Sequence, residues 1–265
     1  MTEAISQSPA RQQLSLRLAL ALGSILAVLA ILVLLTTSSV RFAINAGALY
    51  EYDFDQYDIR LRTGIPSPEL TRIGAEIRDY FNNDEEFIDP RATIYGEERQ
   101  LFTQREIIHI KDVKGLIQRV YLLQWISLGF LLGYAALYGT FRRRAALPLL
   151  ARRVLWGGGG TLAAILAIGL VALVGFDTLF LKFHQLGFSN DFWQLDPRIH
   201  NLIAMFPQSF FLDATIFVAL MTIGQALLLV TVGGGYLWLR RRGLQGDEGR
   251  AEALSPGPKS QVATS

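Results

Sequence analysis

The sequence predicts a membrane α-helical protein: four transmembrane helices with a small mixed extracytoplasmic cap and an aromatic interfacial loop. Three observations lead there. Of the 265 residues, 51% are hydrophobic and only 18% are charged, a balance too apolar for an ordinary soluble domain. The apolar residues are bunched into four stretches, each near the roughly 20 residues needed to cross about 30 Å of hydrocarbon. Three clusters of arginines stand beside those stretches, all on the same side of the resulting topology.

Residues 1–15 form a cytoplasmic N-terminus and residues 16–40 the first span. A cleaved signal peptide is the rival reading, because Arg11 and Arg17 stand before the apolar run and small residues follow near Ala43 to Ala48. The apolar core exceeds the roughly 7–15 residues of a signal h-region, which favours an uncleaved anchor. Residues 41–119 form an extracytoplasmic cap segment and 120–141 the second span. A basic cytoplasmic loop, 142–153, carries Arg142, Arg143, Arg144, Arg152 and Arg153. The third span covers 154–176, an extracytoplasmic aromatic loop 177–213, and the fourth span 214–239. Arg240, Arg241 and Arg242 open a cytoplasmic tail, 240–265, and its polar Gly/Ser/Pro-rich stretch from Gly243 predicts disorder. With the three arginine clusters on one side, both termini are cytoplasmic. Tyr121, Trp125, Tyr236 and Trp238 fall near span ends, where interfacial aromatics belong. Topology accounts for the arginines, so no nucleic-acid partner is expected. The chain has no Cys, which excludes disulfides, thiolate metal sites and a cysteine nucleophile.

All three histidines, His109, His184 and His200, fall in the two outer segments. In the first, Ser67-Pro68-Glu69 reads as a helix start with Ser67 as N-cap. Leu70, Ile73, Ile77, Tyr80 and Phe81 then recur at helical spacing. ATIY and RQLF flank Gly96-Glu97-Glu98 and predict a short hairpin. Thr103 and Glu106 form a capping box, and the helix they open runs on into the second span. Glu106, His109 and either Asp112 or Val113 share one face of that helix. Two readings fit the face: a cap with surface ion pairs, or a polar cluster in which a carboxylate orients His109.

The second outer segment, 177–213, is dense in aromatics: Phe180, Phe183, Phe188, Phe192, Trp193, Phe206, Phe210 and Phe211. Asp196-Pro197 reads as the start of a short helix reaching Met205, and Gly187 as a helix stop. His184 is thus presented at the bilayer boundary by an irregular loop, either as part of an anchor or as a functional group. Other signals carry less. Gly157 to Gly160 and Gly233 to Gly235 predict close helix packing rather than phosphate binding. The histidines lack any ligand spacing such as HExxH, so no metal is expected. No cofactor is expected either. A GxSxG elbow is absent, and the charges near the spans sit at their ends, which disfavours an ion transporter.

Two runs carry a resemblance. LFTQREIIHIKDVKGL fits F-x-x-R-E-x-x-H-x-x-D-V-K, and FHQLGFSNDFWQLDP with LIAMFPQSFF fits H-x-x-x-F-x-N-x-x-W-x-L-D-P followed by F-P-x-x-F-F. These resemble the hallmark segments of the bacterial lipoprotein intramolecular transacylases (Lit), a family of four-span membrane proteins. The resemblance implies that the sn-2 acyl chain of a diacylglyceryl lipoprotein moves to the α-amine of its own N-terminal cysteine, giving a lyso-form lipoprotein. It implies a site on the outer face of the bacterial cytoplasmic membrane, with the lipoprotein and membrane lipid as partners. His184 is then the first choice as general base, with His109 and either Glu106 or Asp112 as a second cluster. Asn190, Trp193, Phe188 and Asp196 become substrate-binding candidates, Asn190 as a donor to the ester oxygen and Trp193 packing the acyl or glyceryl part. His200 lies outside the matched positions and is expected to be dispensable. Tyr50, Tyr52 or Tyr57 could assist. Two alternatives remain: another outer-leaflet lipid or acyl-processing enzyme, and a non-enzymatic membrane protein whose aromatic loop grips lipid.

Overall fold

The computed structural model describes residues 9–254 apart from 142. Among the described residues four helices are long and apolar enough to cross a membrane. The first is α1 (Pro9–Asn45). After it the chain folds a cap of short elements, α2 (Gly47–Gln56), α3 (Ile59–Thr63), α4 (Ser67–Tyr80), β1 (Arg91–Ile94) and β2 (Glu97–Gln100). Helix α5 (Gln104–Phe141) has 38 residues, so it is about 57 Å long, and its polar first turns stand among the cap elements before its apolar part crosses. Then come α6 (Arg143–Gly187), the five-residue α7 (Asn201–Met205) and α8 (Gln208–Leu254).

The bundle is built on close approach. A Cβ at Gly157 would lie 2.7 Å from Ile31 of α1, and one at Gly158 would lie 2.9 Å from the Ala226 carbonyl oxygen of α8. Gly233 faces α6 in the same way, 2.9 Å from the Ala151 carbonyl oxygen. These glycines do what the sequence predicts, whereas Gly159, Gly160 and Gly235 face open space. A buried polar seam adds to the packing. Ser39 Oγ accepts hydrogen bonds from Thr222 Oγ1 and Gln225 Nε2, both at 2.9 Å.

The cap has its own core, in which Ile59, Ile65, Leu70, Ile73, Tyr80, Leu101 and Phe102 are buried with Phe206 and Phe210 from the far side of the sequence. Helix α4 begins with Ser67 already inside it, after Pro66, and no side chain caps its start. Its first-turn Glu69 instead straps the hairpin, accepting the Thr93 N–H at 2.6 Å and the Thr93 hydroxyl at 3.1 Å. The hairpin turns on Tyr95-Gly96, both at positive φ, the signature of a two-residue type I′ turn. The strands therefore lie closer together in sequence than the Gly96-Glu97-Glu98 turn predicts.

Three sequence expectations change. The segment 177–187 is helix: the backbone of α6 leaves helical geometry at Gly175 and a second helical stretch runs from there to Gly187. The basic segment is helical too: α5 ends at Phe141 and α6 starts at Arg143. The expected irregular tail is helical as far as Leu254, its Ala, Glu, Leu and Arg content being helix-forming. Residues 255–265 lie outside the described residues.

Candidate active site

The capping box at the start of α5 forms as the sequence predicts. Thr103 N–H and Oγ1–H both donate to Glu106 Oε2 at 2.7 Å, and the Glu106 N–H faces Thr103 Oγ1 at 3.4 Å. The second oxygen of this fully buried carboxylate does something local sequence does not disclose. Glu106 Oε1 accepts the backbone N–H of Leu202 at 2.7 Å, which caps the first turn of α7. Asn201 completes the joint by donating to the Leu101 carbonyl at 2.7 Å. Glu106 thus fastens the aromatic segment to α5, and its oxygens go to these groups rather than to His109. The predicted helix start at Asp196-Pro197 is a turn instead. Asp196 Oδ1 accepts the Arg198 N–H at 3.0 Å, and the helix begins only at Asn201.

One turn beyond Glu106, His109 is buried, and its Nδ1 has no hydrogen-bond partner among the described residues. Asp112 does not orient it either. Asp112 Oδ2 accepts a hydrogen bond from Asn190 Nδ2 at 2.8 Å, while Asn190 Oδ1 accepts the Phe192 N–H at 3.1 Å. The two sequence motifs are therefore joined at several points, by Glu106 to Leu202, by Asp112 to Asn190, and by Arg105, which donates to the Asp191 carbonyl.

His184 closes α6 from the other side. Its ring centroid lies 6.0 Å from that of His109, and Phe188 packs against both, at 5.0 Å from His109 and 5.5 Å from His184. Phe180, Trp193 and Phe183 also surround it, at 4.4 Å, 5.2 Å and 5.4 Å. His184 Nδ1 lies 2.8 Å from the Phe180 carbonyl oxygen. A carbonyl only accepts, so Nδ1 carries the hydrogen and Nε2 keeps its lone pair. Burial among the rings lowers the His184 pKa below its ordinary value of 6.5, and the hydrogen bond to Phe180 opposes this only in part.

His184 lines an open pocket of about 380 Å³, shared with Asp177, Phe180, Leu181, Trp193, Gln194, Leu195, Asp196, Ile203 and Gln208. Of the residues selected from the sequence, His184, Trp193 and Asp196 line it. Phe188, His109, Asn190 and Asp112 sit behind that wall, and Glu106 ties the wall to the cap. His200 closes a turn, its Nδ1 accepting the Asp196 N–H at 2.9 Å. Tyr52 and Tyr57 both donate to Asp213 Oδ2, at 3.2 Å and 2.6 Å, and Tyr50 donates to the Ile44 carbonyl, so these three brace the cap. Asp177, Phe180, Leu181, Ile203 and Gln208 are pocket residues that the sequence reading missed. Asp177, Phe180, Leu181 and His184 have the i, i+3, i+4, i+7 spacing of one helical face, a signal hidden by treating 177–187 as loop. Among the described residues no group of three His, Cys, Asp or Glu stands close enough to hold a metal ion.

The model of the family described as lipoprotein intramolecular transacylase Lit matches residues 24–211. Solved structures of the membrane-integral lipoprotein intramolecular transacylase Lit from Bacillus cereus share the fold. One is 20% identical, with a TM-score of 0.69 over 84% of this chain and 97% of that one. Another, in which a histidine is mutated to arginine, is 19% identical with a TM-score of 0.68, covering 88% and 99% of the two chains. A protein of Aquifex aeolicus described as uncharacterised is 26% identical over 141 residues, which are 51% of this chain and 57% of that protein.

Proposed function

The chain belongs to the lipoprotein intramolecular transacylase family, and from that premise we propose that it moves the sn-2 acyl chain of a diacylglyceryl lipoprotein onto the α-amine of the lipoprotein's own N-terminal cysteine. The observation that carries the assignment of roles is His184: a buried imidazole with its tautomer fixed by Phe180, lining a pocket that opens beside the aromatic segment. The amine nitrogen attacks the ester carbonyl, so an N–C bond forms while the ester C–O bond breaks. The first proton lost by the α-ammonium passes to His184 Nε2 and from there to the departing glycerol oxygen, which returns the histidine to its starting form, and the second, freed as the amide forms, leaves to solvent. Donor ester and acceptor amine belong to one molecule, so holding it in the attacking geometry supplies much of the rate.

The depressed His184 pKa suits this role, because the ring is then unprotonated at neutral pH and ready to take a proton. Asn190 spends one amide hydrogen on Asp112, and the second is the donor we assign to the developing oxyanion. Asp112 thereby acts as a positioning residue. His109, packed against Phe188 behind His184, is assigned to assist His184. Trp193, on the pocket wall, packs the glyceryl or acyl part.

The arginine pattern supports a cytoplasmic position for both termini. Arg240, Arg241 and Arg242 lie on α8 far from Gln208, and Arg152 and Arg153 lie on α6 far from His184, which supports a site on the extracytoplasmic side. The test is purified protein with a synthetic diacylglyceryl-cysteinyl peptide, read by mass spectrometry. The expected product has the same mass, an N-acyl group and a free sn-2 hydroxyl, and an N-acetylated peptide gives none. Release of free fatty acid without N-acylation would instead make the protein an esterase.

A further inference from the structure

We propose that Asp177, held by Gln208 on the wall of the His184 pocket, selects a cationic lipid that lacks phosphate and turns phospholipids away. This rests on the transacylase reading and concerns how that site chooses among lipids. Asp177 and His184 are seven residues apart on α6, two turns along one face, a rise of about 10 Å. Phe180 and Leu181 line the wall between them.

The charges on this wall are unequal. Among the described residues two carboxylates line the pocket, Asp177 and Asp196, and no Lys or Arg does. Asp196 is already neutralised, its Oδ2 lying 2.6 Å from Arg198 Nη2 and both oxygens within 3.1 Å of Arg198 Nε. Asp177 is treated differently. Gln208 Nε2 donates to its Oδ1 at 2.8 Å, and among the described residues it makes no ion pair. A glutamine fixes the carboxylate without cancelling its charge. Gln208 is itself the first residue of α8, so the pair also joins the two helices at the mouth of the pocket. The net result is one uncompensated negative charge beside an apolar surface, where α6 leaves the hydrocarbon.

That sign discriminates among lipids. The substrate of the proposed reaction carries an α-ammonium and a thioether-linked glycerol, with no phosphate. The lipids around it carry a phosphate at the corresponding depth, and they are present in large excess. A carboxylate on the wall attracts the first headgroup and repels the second, so the repulsive half of the interaction contributes as much to selection as the attractive half. Asp177 acts while the lipid enters, before the amine gives up its proton to His184. Its effect therefore falls on KM.

The experiment compares the wild-type protein with Asp177→Asn in mixed micelles of neutral detergent, using the diacylglyceryl-cysteinyl peptide as substrate. Asparagine keeps the shape and the hydrogen bond from Gln208 and removes the charge. The expected result is a KM about fivefold higher, the size of an exposed ion pair, carried without a matching fall in kcat. The KM of the wild type rises with ionic strength, and that of the variant does not. Phosphatidylglycerol competes more strongly against the variant, neutral diacylglycerol competes equally against both, and Asp177→Glu restores the wild-type pattern. Equal KM, salt response and phosphatidylglycerol inhibition in the two proteins would overturn the proposal, as would a fall in kcat at unchanged KM. If the wild type forms no product, the transacylase reading fails by itself. Equilibrium binding of a diacyl trimethylammonium lipid and of phosphatidylglycerol then decides the selection, which stands only if Asp177→Asn lowers the ratio of the two affinities.

Discussion

Two buried polar clusters in this molecule are finished in opposite ways. Between α1 and α8, Ser39 and Thr222 are fully buried and every hydroxyl has a partner: Thr222 and Gln225 donate to Ser39, and Ser39 donates to the Leu35 carbonyl. Beneath the cap, the two histidines are left incomplete. His184 commits only Nδ1, and His109 Nδ1 is buried without a partner. The closed cluster has no capacity left for a ligand, and its worth is in holding helices together. An unfinished buried polar atom costs free energy, and at the histidines that cost is offset when substrate binds. An unpartnered buried atom does not mark the site by itself, since Asp53 in the cap has two; what distinguishes the histidines is the pocket that His184 lines.

The strongest way to break this comparison is at His184. His184→Ala should lower the transfer rate by about 100- to 10,000-fold while the protein still folds, as judged by its elution and melting in detergent. His109→Ala follows with a loss of about 10- to 100-fold on the scale of an assisting group, and rates at matched protein concentration check it. Asn190→Ala removes the amide donor, for an expected loss of about 100-fold in kcat. Asp112→Asn, which loosens Asn190 without removing it, loses less. Equal losses for the two would mean that Asp112 does more than position.

Acid gives a further test. Since burial lowers the His184 pKa below 6.5, the unprotonated base persists to lower pH than for a free histidine. The rate stays flat at neutral pH and falls only below about 6.5, where the ring begins to protonate. The same shift means that the unfolded chain binds the proton more readily, so this group's stabilising contribution is present above pH 6.5 and shrinks as pH falls through its folded pKa.

Asp53 runs the other way. It is fully buried in α2 with neither oxygen hydrogen-bonded, and desolvation raises its pKa to about 8, with Arg62 opposing and Asp213 assisting. The folded state holds that proton more tightly than the unfolded chain. Asp53 therefore stabilises the cap fully below about pH 4 and loses that contribution as pH rises to about 8. Melting temperature against pH should fall across this window, and Asp53→Asn should flatten the fall. The smallest effect belongs to the closed seam. Thr222→Val should cost about 0.6–1.7 kcal/mol of stability with the specific activity of the folded protein unchanged, measured by unfolding in detergent beside a rate assay.

Much of this was legible in the sequence because it is local. The four spans follow from apolar runs, and the Thr103–Glu106 box from a four-residue pattern. Gly157, Gly158 and Gly233 pack helices as small residues at span interfaces should. The joint between motifs was not legible: Glu106 reaches Leu202 and Asp112 reaches Asn190 through tertiary folding, across intervals that no periodicity encodes. The pocket wall was hidden for a different reason. Aromatic and polar residues from Asp177 to Gly187 break the apolar run, so the helix appears to stop where the membrane does. The backbone does leave helical geometry there, at Gly175, but a second helical stretch follows it to Gly187. Asp177 became visible only once its helical phase with His184 was known.

The most direct measurement is mass spectrometry of the N-terminal peptide of a reporter lipoprotein. The host would make only diacylglyceryl lipoprotein and carry this protein, its His184→Ala variant at equal membrane level, or neither. A site built around His184 predicts N-acylation with loss of the sn-2 ester only with the intact protein. N-acylation at an undiminished level with the variant would contradict that account and move the base to His109.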